Sequence, residues 1–141
     1  GSYFNLFAIC LALIIILLTY SKNVLSLPLN QLFENKAEIV ECLKLNVPAD
    51  KRQQWLDAER ESWEIWLNNQ EGFLGRQLFW NKETEQATLL IYWTTREDWK
   101  NISKEEIDYV QGQFEKIARV KTGLRQGNPF PLIYEGELLP Q

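Results

Sequence analysis

The sequence predicts an α+β domain, a four-stranded antiparallel sheet with two helices on one face, preceded by a single transmembrane helix. Three observations carry that expectation. An uncharged apolar run stands near the start. Beyond it the hydrophobic period switches between about two residues and about 3.6. Two strand-like stretches rich in aromatics flank a short polar turn.

From Leu6 to Leu18 the chain carries no charged side chain, and Leu6, Phe7, Ile9, Leu13, Ile14, Ile15, Ile16, Leu17 and Leu18 make it strongly apolar. Extended to Tyr3 and Tyr20, it falls at the short end of the roughly 17 to 25 residues that cross a bilayer. The two tyrosines stand where interfacial aromatics belong. No small-x-small triplet closes the run, since Thr19-Tyr20-Ser21 puts a ring in the middle, so a retained anchor over 3–20 is expected rather than a cleaved signal. Residues 21–36, with Pro28 and several Asn and Ser, read as a linker. The remainder, 37–141, suits one domain.

Within that domain, Ile39 to Val47 is β-branched at its ends and alternates in its second half, a strand signal closed by Pro48. Asp50 and Gln53 have the spacing of a capping pair, and Trp55, Ala58, Ser62, Ile65 and Trp66 recur at helical spacing. That helix is expected to stop near Asn68-Asn69, with Gly72 supplying the turn. Phe73 to Asn81 and Ala87 to Thr94 form a hairpin across Lys82–Gln86. Thr95 to Asp98 opens a short helical turn carrying Trp99. Ser103 and Glu106 repeat the capping spacing ahead of Ile107, Val110, Phe114, Ile117 and Ala118, and Gly123 ends that helix. Leu132, Ile133 and Tyr134 mark a last strand. The order, strand-helix-strand-strand-helix-strand, is the ferredoxin-like βαββαβ arrangement.

Composition narrows the chemistry. Fifteen basic residues stand against 19 acidic ones, with no basic cluster, which excludes a nucleic-acid-tracking surface. There is no histidine among the 141 residues. The commonest general base, the usual transition-metal ligand and the Ser-His and Cys-His nucleophile pairs are therefore absent. Cys10 lies in the apolar run and Cys42 in a strand, so no disulfide is expected. No Gly-rich phosphate loop, CxxC pair or metal-spaced carboxylate pair occurs, and neither a cofactor nor a metal is implied.

Glu41 is in phase with Leu43 and Leu45, where a carboxyl would be partly buried with a raised pKa, but a wet strand end or a pair with Arg76 is the expected reading. The acidic residues Asp57, Glu59, Glu61 and Glu64 read as a solvated helix face. Trp55, Trp63 and Trp66 fall on the core stripe, and Trp80 and Trp93, on neighbouring strands, are candidates to stack. The hairpin offers apolar groups to both sheet faces, Leu89, Ile91 and Trp93 on one and Leu90 and Tyr92 on the other. The face away from the helices therefore needs a cover, either another subunit or a second copy of the chain.

Val40 to Pro48, then Gln70-Glu71-Gly72-Phe73-Leu74-Gly75, then Leu89 to Trp93 with Trp99-Lys100, resemble the antibiotic biosynthesis monooxygenase-like group of dimeric α+β barrel proteins. The likeness is greatest to a small cyanobacterial family within it. It spans Ile39 to about Ala118, and the Gly72-Phe73-Leu74-Gly75 element is its most specific piece. The resemblance implies a cleft between helices and sheet, as in cofactor-independent oxygenases of polycyclic quinols. Trp66, Asn69, Arg76, Tyr92 and Trp93 are the residues of matching type for such a cleft. Haem degradation, also found in the group, needs a histidine that this chain lacks.

Three functions follow as expectations. The first is a non-enzymatic, membrane-anchored interaction domain, an auxiliary subunit of a larger membrane complex, which the resemblance places in a photosynthetic thylakoid setting. The second is an oxygenase-like enzyme or small-molecule binder reaching membrane quinols. The third is a structural homodimer joined through the outer sheet face. An enclosed cleft with converging polar groups favours the second.

Overall fold

The computed structural model describes residues 36–141 together with Tyr3 and Asn5. The expected anchor over 3–20 and the linker over 21–36 thus lie almost wholly outside the described residues. Among the described residues, no helix is long and apolar enough to cross a membrane.

Strand β1, Ile39–Asn46, begins the compact unit Lys36–Gln141. After it come a 3-10 turn at Ala49–Lys51 and helices α1, Arg52–Glu61, and α2, Trp63–Leu67. The hairpin strands β2, Phe73–Asn81, and β3, Gln86–Trp93, precede a short α3, Arg96–Lys100, a long α4, Lys104–Thr122, and β4, Leu132–Leu138. The sheet order is β2-β3-β1-β4, every described pairing antiparallel, as the ferredoxin-like arrangement requires.

Period two along β1 and β3 decides which side chains meet the helices. Opposed pairs Ile39/Trp93, Glu41/Ile91, Leu43/Leu89 and Leu45/Ala87 share the inner face. Against it α1 and α4 pack through Trp55, Ala58, Phe114 and Ala118. Fully burying a ring such as Trp55 or Phe114 stabilises by roughly 1.5–3 kcal/mol. A second cluster, Leu67, Ile91, Trp93 and Trp99 around Ile39, closes the other end. On the outer face Val40, Cys42 and Tyr92 are also buried, whereas Phe79, Tyr134 and Leu138 remain about half exposed.

Local chemistry sets the boundaries. Ser103 Oγ accepts from Glu106 N at 3.2 Å at the start of α4, and Gly123, at φ 76°, ends it in the left-handed region. Gly72, at φ 77°, turns the chain into β2, and a Cβ there would collide with Asp98. Gly75 falls at a register shift between β2 and β3, the bulge expected of a glycine entering a strand.

Three expectations are corrected. No capping box forms at Asp50: Gln53 Nε2 donates to Asp57 Oδ1 at 2.9 Å, and the free N–H of Ala49 is taken by Glu85 Oε1 at 3.0 Å. The first helix is broken at Ser62, whose hydroxyl donates to Ala58 O at 2.6 Å, and past the break Ile65 is exposed. Trp80 and Trp93 do not stack, because the hairpin register places Trp80 opposite Ala87 and Trp93 opposite Phe73.

Candidate functional site

A cavity of about 340 Å³ lies between the inner sheet face and the helices. Its floor is supplied by β1 through Glu41, Leu43 and Leu45, by β3 through Leu89, Ile91 and Trp93, and by β4 through Leu132 and Glu135. Trp63 and Trp66 of α2, Asp108, Gln111 and Phe114 of α4, and Asn128 and Phe130 of the following loop form the other walls. The break at Ser62 positions α2 separately from α1. Its Trp66 indole donates to Glu106 Oε1 at 2.9 Å, joining α2 to the first turn of α4.

Two carboxyls in this cavity have very different surroundings. Glu59, on α1, is 1% exposed, not part of a solvated face as its acidic neighbours suggest. Arg76 of β2 answers it, Nη1 donating to Glu59 Oε2 at 2.5 Å and Nη2 to the Glu59 carbonyl at 3.4 Å. Burial still raises the Glu59 pKa, with the Arg76 charge and hydrogen bond working against that rise.

Glu41 has no such partner, because Arg76 is committed to Glu59. Burial is the main cause that pushes its carboxyl up to about 7, the nearby Glu135 carboxylate adding to it and Lys100 opposing it. The Trp93 indole faces Glu41 and favours its charged form, yet its N–H closes no hydrogen bond of regular geometry, although Trp93 is 1% exposed. The cavity therefore holds an acid/base group poised near neutrality beside a buried donor without an acceptor.

Of the five candidate residues, the structure brings Trp66, Arg76 and Trp93 together on the cavity wall. Asn69 does not join them; its amide donates to Ile65 O at 2.8 Å in an exposed turn. Tyr92 points to the outer face, its hydroxyl donating to Gln77 Oε1 at 2.6 Å. Glu59, Glu135, Asp108, Gln111 and Asn128 were not among the candidates. Only Glu59 had a sequence signal, its place four residues after Trp55 on the buried stripe. Among the described residues, no group of three or more acidic or Cys side chains is suited to hold a metal ion.

No family model and no curated relative matches the sequence. Solved structures do. A monooxygenase of Streptomyces coelicolor, in complex with the ligand nanaomycin D, superposes with a TM-score of 0.55 at 11% identity over 76% of this chain and 90% of its own. A protein assigned as an antibiotic biosynthesis monooxygenase, from Bordetella bronchiseptica, gives 0.47 at 15% identity over 71% and 95%. A conserved protein of Methanosarcina mazei gives 0.42 at 17% identity over 77% and 98%. Identities this low speak for fold alone, and at that level the chain shares the α+β fold of the Streptomyces coelicolor protein.

Proposed function

We propose that the domain binds a hydroxyaryl compound of the quinol type between helices and sheet and promotes its oxygenation by dioxygen. One observation carries the reading: a buried carboxyl without a cation, with a pKa of about 7, at the floor of an aromatic-walled cavity. A docking subunit has no need of such a space. An oxygenase that works on the substrate's own electrons needs a base matched to neutral pH.

In this scheme Glu41 takes the proton from the substrate hydroxyl or from the carbon that it activates, and Trp93 N–H donates to the oxygen left behind. The electron-rich anion passes electrons to dioxygen. At a reacting methylene, one oxygen atom becomes the new carbonyl and the other leaves as water with the two hydrogens that the carbon lost. The substrate supplies all four electrons. Arg76 and Glu59 are positioning residues that keep the far wall fixed. The fold relative of Streptomyces coelicolor holds its ligand nanaomycin D, which supports a ligand-bearing role for this fold. Retained as an anchor, the apolar span over 3–20 would keep the cavity within reach of quinols dissolved in the bilayer.

The test is oxygen uptake by the full chain in mild detergent with dihydroxynaphthalene and anthrone. The wild type is expected to consume oxygen in step with product. Glu41→Gln is expected to lose about 10²- to 10⁴-fold in rate, the usual contribution of a general base. Turnover undiminished in Glu41→Gln, or absent from the wild type with both compounds, contradicts the proposal.

A further inference from the structure

The charges around the cavity are unequally matched. Four carboxyls line it, from Glu41, Glu59, Asp108 and Glu135. Two of them have cations: Arg76 holds Glu59, and Lys104 pairs with Asp108. Glu41 and Glu135, on the neighbouring strands β1 and β4, have no ion-pair partner among the described residues, and Glu135 acts on Glu41 as a like charge. Lys100, the remaining cation that acts on Glu41, is engaged elsewhere. Its ammonium lies 3.3 Å from Glu137 Oε1 and 3.7 Å from the centre of the Trp99 ring.

The same corner is aromatic. Trp93 and Trp99 line it, and Trp93 brings there a buried N–H that closes no hydrogen bond of regular geometry. Two carboxylates without a cation, beside indole faces, form a setting that attracts an organic ammonium twice over, through charge and through the ring quadrupoles. The same setting repels a second anion, because a like charge brought against the buried Glu41 carboxylate and its neighbour Glu135 is unfavourable.

We infer that this cavity selects its ligand by charge, taking aryl compounds that carry a protonated amine ahead of their neutral counterparts and refusing those that carry a carboxylate. The inference rests on the reading of the cavity as a ligand site and adds the substrate class. The ammonium lies against Glu135, in the field of Glu41 but without pairing with it, so that Glu41 stays free as the base, and the aryl body extends toward Trp63 and Phe114. A hydroxyl on that body accepts from Trp93.

The test is titration calorimetry of the full chain at pH 8 with three probes matched in ring size: a naphthol, its aminomethyl derivative and its carboxylate. The amine is expected to bind roughly tenfold or more tightly than the carboxylate, with the naphthol between them. Glu135 is exposed at the edge of the sheet, so Glu135→Gln should fold normally and shrink the ratio of amine to carboxylate affinity. Equal binding of all three probes, or a ratio unchanged in Glu135→Gln, overturns the charge selection and leaves the ligand site standing. Binding of none of the three overturns both.

Discussion

The helix wall and the sheet wall of the cavity each carry a carboxyl in apolar surroundings, and only one of them is neutralised. Glu59 meets the Arg76 guanidinium at 2.5 Å, in a pair whose side chains are 2% and 8% exposed. Glu41 meets an indole N–H that favours its charged form without a hydrogen bond of regular geometry, and a like-charged neighbour in Glu135. The first arrangement holds two elements, α1 and β2, in place. The second leaves a proton acceptor at the cavity floor with a raised pKa, a feature that costs stability.

The largest consequence is opposite in sign for the two residues. Glu59→Ala removes the partner of a buried guanidinium and is expected to destabilise the domain by about 3–5 kcal/mol in urea denaturation. Glu41→Gln is expected to stabilise it. The Glu41 carboxyl titrates near 7 when folded and at 4.5 in the reference state, so the folded form binds the extra proton between those values. Stability therefore falls as pH rises through that window, by on the order of 3 kcal/mol in all, and is fully present below it. Glu59 contributes with the same sign, damped by Arg76. Equilibrium unfolding of Glu41→Gln and wild type at pH 4.5 and pH 8 should show a gain that appears only at the higher pH. A gain of equal size at both would mean that packing, not charge, is responsible.

Smaller effects sharpen the contrast. Trp80 is structural: its indole donates to Val47 O at 3.0 Å and its ring stacks under Arg52 at 5.2 Å. Trp80→Phe should cost about 1 kcal/mol in thermal unfolding, and oxygen uptake should stay unchanged. Asn69→Ala, in an exposed turn away from the cavity, should stay within about 0.5 kcal/mol of wild type and leave the rate unaltered.

Much of the fold could be read directly from sequence. The strand and helix periods, Ser103 and Gly123 at the ends of α4, and the glycine entry into β2 are local signals, and each governs the element beside it. Glu41 was visible only in part: its phase with Leu43 and Leu45 turns it toward the core, but a wet strand end or a pair with Arg76 was the expected reading, and the structure gives neither. What escaped depends on long-range register. Whether Arg76 reaches Glu41 or Glu59 is decided by the pairing of β2 with β3 and by the angle at which α1 crosses them. Asn69 and Tyr92 have the right chemistry for the cleft, but a turn and an alternation step direct them away from it. Glu59 was hidden by its acidic neighbours, although its spacing from Trp55 places it on the buried stripe.

The proposed chemistry depends on Glu41 being an unneutralised carboxyl in that cavity. Side-chain carboxyl NMR, following the Glu41 resonance through a pH titration of the folded domain with Glu41→Gln as the assignment control, measures this directly. A midpoint near 7 is the expected result. A midpoint at the ordinary glutamate value of 4.5 would mean that water or a cation already serves this group, and the proposed base would be lost.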